Sequence, residues 1–161
     1  MIPTNDTRPA TNCMTDLAFV DTNVLVYSKD GSDPTKAGRA QEWLRELWLQ
    51  GIGRTSVQVL NEFYNVAQRK LTAQIALAEA RAAVLTFRAW SPQELNLELT
   101  RKAWDLQDRF SLSWWDALIV AAAQAQGCAY LITEDLQAGQ RFDGLLVVNP
   151  FTTEPAAILG R

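Results

Sequence analysis

Apolar residues follow two patterns along this chain. Three segments are short and unbroken, at residues 17–20 (Leu17-Ala18-Phe19-Val20), 129–133 and 145–148. Runs this short, without polar alternation, fit strands buried on both faces, as in a parallel sheet. Elsewhere the spacing is helical. After Asp33-Pro34, the residues Ala37, Ala40, Trp43, Leu44, Leu47 and Trp48 mark one face of a helix that Gly51 and Gly53 stop. Ser56 caps a second helix with the stripe Val59, Leu60, Phe63, Val66 and Ala67, and Glu62 lies beside that stripe.

Residues 73–88 and 93–109 predict two further amphipathic helices, parted by Ser91-Pro92. The stretch 114–125, capped by Ser113, is apolar on nearly every face and is expected at the centre of the core, ending at Gly127. Short apolar strands alternating with long helices define an α/β sandwich around a parallel sheet. No internal repeat or interdomain linker interrupts it, and 161 residues suffice for one domain with a genuine core. Residues 1–15, rich in Thr, Asn and Pro, are expected to be a disordered extension, and Met14 offers an alternative translation start that intact mass would reveal. Residues 151–161 form a tail with no readable pattern.

Composition narrows the chemistry. The chain has no histidine, which removes the commonest general base and excludes Ser-His-Asp and Cys-His catalysis. Cys13 and Cys128 lie far apart and predict neither a zinc knuckle nor a disulfide framework; they read as reduced thiols of a soluble, cytoplasmic protein. The net charge of -3 gives no overall basic field, so a polyanion would have to be held by a local basic patch or a bound metal. No segment approaches the roughly 20 apolar residues of a membrane span.

Four acids stand at the edges of apolar segments: Asp21 after the first strand, Glu62 and Asp116 in capped helices, and Asp135 after the second strand. Each has an ordinary explanation by itself. Asp21 caps the helix that starts at Thr22, Asp116 complements a helix dipole, Glu62 is a solvated helix residue, and Glu134-Asp135 is a turn. Together they converge on the carboxyl edge of a parallel sheet, where such folds bind ligands, provided that Glu62 and Asp116 lie in the first turns of their helices. Clustered carboxylates call for a neutralising cation, and oxygen donors without nitrogen or sulfur favour Mg²⁺ or Mn²⁺. A metal held by Asp21 and Asp116, with Glu62 and Asp135 as further ligands, would activate water without histidine.

Four motifs in this order, Asp21-Thr22-Asn23-Val24-Leu25, Asn61-Glu62-Phe63, Ser113-Trp114-Trp115-Asp116-Ala117-Leu118-Ile119 and Leu131-Ile132-Thr133-Glu134-Asp135-Leu136, resemble the PIN domain, especially VapC-type toxins. The resemblance spans residues 16–150. It implies a three-layer α/β/α sandwich with a small central parallel sheet, and an acidic pocket of Asp21, Glu62, Asp116 and Asp135 that binds Mg²⁺ or Mn²⁺ to hydrolyse RNA phosphodiesters. Asn23 and Thr133 match supporting polar positions, and Glu134 is a reserve for the fourth acid. The resemblance further implies a homodimer and a cognate antitoxin protein whose helix occupies a groove on the helices of residues 34–50 and 56–70.

Arg54, Arg69, Lys70 and Lys29 are the basic residues nearest these motifs and are candidates for RNA contact, against the ordinary reading of a solvated face. Trp43, Trp48, Trp104 and Trp114 fall within helical apolar patterns and are expected in core or dimer packing, whereas Trp115 is open to either packing or base stacking. Three rival readings stand beside the toxin. One is a PIN nuclease of RNA processing outside a toxin-antitoxin pair; another is a silent binding module. The third, a phosphoacceptor domain, needs a lysine near its last strand, and residues 142–151 contain none.

Overall fold

A computed structural model describes residues 16–160. The N-terminal extension, the alternative start at Met14 and the Cys13 thiol lie outside the described residues. The three apolar runs form β1 (Ala18–Val20), β3 (Tyr130–Ile132) and β5 (Leu145–Val148), which pair in parallel in the order β1-β3-β5. Two strands of two residues each, too short to leave a periodic signal, complete the sheet: β2 (Gly53–Arg54), parallel to β1, and β4 (Arg141–Phe142), antiparallel to β5. The full order is β2-β1-β3-β5-β4.

Helices form where side chains satisfy their first free N–H groups. Asp21 caps α1 (Thr22–Lys29), Asp33 and Pro34 open α2 (Pro34–Gln50), Ser56 caps α3 (Val57–Lys70), and Ser113 caps α6 (Trp114–Ala125). Gly51, at φ 68°, supplies the left-handed stop of α2. Gly53 has a different role from the expected stop. It lies in β2 under the Trp90 ring, which an added Cβ would strike.

The predicted helices between α3 and α6 are both longer than the observed ones. The first is α4 (Leu77–Thr86), followed by a 3-10 turn (Phe87–Trp90); the second is α5 (Leu97–Phe110). Gln93 is lost to α5 because its backbone bridges Thr55 and Val57, and Asn96 then provides the cap by accepting from Leu99 N–H. The tail carries a short α7 (Pro155–Leu159), and the buried Trp43 indole donates to the Pro150 and Thr153 carbonyls just ahead of it.

One helical group, α1 to α4, and another, α5 with α6, enclose the sheet as a three-layer α/β/α sandwich. Residues 117–123 of α6 are buried without exception, as the continuous apolar pattern requires. From β1 the chain passes to β2 on one side and later to β3 on the other, so the sheet has its topological switch point between β1 and β3. Asp21 and Thr133 directly follow those two strands. The first and last of the acidic motifs therefore stand at the position where open parallel sheets form a crevice for ligands.

Candidate functional site

Asp21 is the centre of the site. Its carboxylate is almost wholly buried; one oxygen accepts from Thr22 N–H at 2.7 Å and the other from the Thr133 hydroxyl at 2.8 Å. Thr133 is fully buried and its hydroxyl is saturated, donating to Asp21 and accepting from the Asn23 amide at 3.0 Å and from Asp135 N–H at 3.1 Å. Asn23 also donates to the Asp135 carboxylate at 3.0 Å, which ties the turn after β3 to the start of α1. Residues 112 positions apart thus share one hydrogen-bonded network.

Glu62 joins from α3. Its carboxylate accepts from the Thr22 hydroxyl at 2.7 Å and from the Gln58 amide at 2.9 Å. Glu62 sits in the second turn of α3, not the first as the motif spacing predicts, because the helix begins at Val57. Burial raises the Asp21 carboxyl to about 6; the bonds from Thr133 and Thr22 oppose that rise, and the charges of Asp135 and Glu62 add to it.

Asp116 stands apart from this network. It lies in the first turn of α6 as expected, half-buried, and its carboxylate accepts from the Ser113 hydroxyl at 2.7 Å while its N–H donates back to that oxygen. The neighbouring Trp115 is 60% exposed and lines a cavity of about 440 Å³ together with Glu62, Gln58, Asn61, Val57 and Leu95. The N-terminal end of α6 therefore faces the Glu62 side of the crevice.

The two adjacent acids after β3 have different partners. Glu134 forms an ion pair with Lys36 at 2.7 Å, whereas Asp135 turns to Asn23. Thr22, Gln58 and Lys36 are residues that pattern reading missed. Thr22 lies inside the first acidic motif, and its hydroxyl was the available signal; Lys36 has no sequence signal, because its partner is 98 residues away.

Of the candidate RNA-contacting cations, Arg54 folds back on the Gly53 carbonyl and places its charge near the Cys128 thiol, ahead of β3. The acids follow the strands at their other ends. Arg69 and Lys70 are exposed in the last turn of α3, roughly 10 Å along the helix from Glu62. Lys29 lines an apolar groove of about 390 Å³ with Leu25, Leu44, Trp48, Phe63 and Phe87. Among the tryptophans, Trp43 is fully buried and Trp114 partly so, while Trp48 and Trp104 are substantially exposed. Burial pushes the Cys128 thiol up to about 12, which fits an inert core residue.

The donor chemistry of the acid network fits a hard divalent cation: carboxylates, an amide and hydroxyls crowd together, with oxygen as the only ligating element. Among the described residues no three acid or cysteine side chains enclose an ion as they stand. The arrangement is a hydrogen-bonded cluster around Asp21, with Glu62 tied to it through Thr22 and Asp116 bonded to Ser113.

The chain matches the PIN domain family over residues 18–142 and belongs to that family. In architecture it is similar to a toxin-antitoxin complex from Klebsiella pneumoniae, with TM-score 0.60 and 19% identity over 83% of this chain and 97% of that one. It is also similar to VapC20 of Mycobacterium tuberculosis, a sarcin-ricin loop cleaving toxin, with TM-score 0.53 and 21% identity over 71% and 86% of the two chains. A third similar structure is VapBC2 of Rickettsia felis bound to a promoter DNA fragment, with TM-score 0.55 and 17% identity over 81% and 96%. Among curated proteins, none matches the chain.

Proposed function

We propose that the chain is a Mg²⁺- or Mn²⁺-dependent endoribonuclease and the toxin of a type II toxin-antitoxin pair. The observation that carries this reading is Asp21: a buried carboxylate at the switch point, close enough to Asp135 and Glu62 to feel both charges, within a network of oxygen donors. Family membership and the similarity in architecture to the three toxin and toxin-antitoxin structures support the class of reaction.

Asp21, Asp135, Glu62 and Asp116 would hold the cation. When bound, a divalent ion there lowers the pKa of water and offsets charge on the attacked phosphate. The chain's own residues do the rest. Thr22 N–H and Thr133 fix both oxygens of Asp21, and Asn23 aims Asp135 at the same point. Thr22 and Gln58 orient Glu62, and Ser113 fixes Asp116 at the first turn of α6.

The groove of Leu25, Leu44, Trp48, Phe63 and Phe87, between α1, α2, α3 and the end of α4, is the surface we assign to an amphipathic antitoxin helix. The reading includes a homodimer acting in the cytoplasm, and among the described residues no helix is long and apolar enough to cross a membrane.

The test is cleavage of RNA by the purified protein with Mg²⁺ or Mn²⁺, with chelator, and by Asp116→Asn. Cleavage that requires the ion and disappears in the folded variant is expected. Cleavage persisting in chelator or in the variant overturns the metal-site reading, and failure to copurify with the product of an adjacent small reading frame overturns the antitoxin assignment.

A further inference from the structure

We propose that Lys36 is a positioning residue for the turn at residues 133–135, acting through Glu134 to keep Asp135 directed at the Asp21 network. Lys36 lies in the first turn of α2, where the helix dipole disfavours a cation, so its charge is not there for the helix. Its ammonium instead crosses to Glu134 at 2.7 Å and donates to the Tyr27 hydroxyl at 3.2 Å. The same nitrogen stands 4.3 Å from the Tyr27 ring centre and 4.8 Å from that of Phe151, and the two rings meet edge to face at 5.1 Å. Four separate segments, α1, α2, the turn after β3 and the residues after β5, thus close one box around a single charge.

Glu134 and Asp135 are adjacent acids with opposite assignments. A free Glu134 carboxylate would add negative charge beside Asp135 and compete with it for Asn23, whose own carbonyl oxygen faces Glu134 N–H at 3.4 Å. The ion pair removes that competitor to the outer side of the turn. Thr133 anchors the turn from inside and Lys36 anchors it from outside, which leaves Asp135 one direction to face. None of the interactions made by Lys36 reaches the acids proposed to hold the cation, so its effect is on their placement.

The experiment compares Lys36→Met, Lys36→Arg, Glu134→Gln and the Lys36→Met/Glu134→Gln double variant. Two quantities are measured: amide hydrogen exchange at Asp135 in metal-free protein, and Mn²⁺ affinity by calorimetry, the latter resting on the metal reading above. Methionine keeps the stem packed on the rings. Lys36→Met and Glu134→Gln should each accelerate Asp135 exchange and weaken Mn²⁺ binding about tenfold, the range typical of residues that orient ligands. Lys36→Arg should restore both, and the double variant should be no worse than Lys36→Met because the two act through one contact. Unchanged exchange in a folded Lys36→Met protein, or additive losses in the double variant, overturns the proposal. If Lys36→Met does not fold, Glu134→Gln tests the same contact with the same two outcomes. If wild type binds no Mn²⁺ while exchange still accelerates, positioning stands and the metal reading falls.

Discussion

The two walls of the proposed site are built in opposite ways. On one, the buried Asp21 and Thr133 anchor a network that reaches out through Asn23 to the exposed Asp135 and draws on both ends of the domain; on the other, Asp116 is a half-buried acid whose side-chain bond runs to Ser113, three residues away. A buried and cross-linked carboxylate is preorganised at a cost in stability, since desolvation opposes its charge. A carboxylate satisfied by its own helix cap costs little and can turn. The two acids have the same chemistry in the sequence and different mechanical roles in the fold.

The largest expected effect tests what the walls share. Asp21→Asn and Asp116→Asn should each reduce RNA cleavage by more than about a hundredfold, beyond the usual loss from changing an orienting residue. Gel assays on folded proteins would show it, and a variant retaining near-normal rates would remove its wall from the site.

Stability should separate the walls. The Asp21 carboxyl is raised from 3.8 to about 6 in the folded protein, so the fold binds a proton more tightly than the unfolded chain does. That contribution is fully present below 3.8 and is lost as pH rises through about 6, a decline of about 3 kcal/mol from a shift of about two units. Denaturant melts of metal-free protein from pH 4.5 to 8 should show most of this decline in wild type and in Asp116→Asn, and lack it in Asp21→Asn. Saturating Mn²⁺ should reverse it, by binding the folded state alone.

A smaller effect distinguishes the anchors. Thr133→Val leaves the Asp21 oxygen, the Asn23 amide and Asp135 N–H without their shared partner and should destabilise by roughly 1–3 kcal/mol. Ser113→Ala removes a helix cap and should cost about 1 kcal/mol. Equal losses in thermal melts would contradict the contrast between a network and a local cap.

How much of this was legible follows from the range of each interaction. The three strands, the caps Ser56 and Ser113 and the central helix α6 are local patterns, and reading the apolar runs and capping residues finds them. Strands β2 and β4, with two residues each, exist only through their neighbours. The helix start predicted at residue 93, after Ser91-Pro92, misses the pairing of Gln93 with Thr55 and Val57, a tertiary contact that overrides helical spacing. At the site, Asp21, Asn23 and Thr133 are adjacent in space as their motifs imply. The division of labour between Glu134 and Asp135 depends on Lys36, which nothing near residue 134 in the chain announces.

The central claim is that both walls serve one cation. Calorimetric titration of Mn²⁺ into wild type, Asp21→Asn and Asp116→Asn tests it most directly. Binding in wild type that is lost in both folded variants is the predicted result; binding that survives unchanged in Asp116→Asn would show that the α6 wall is not part of the site.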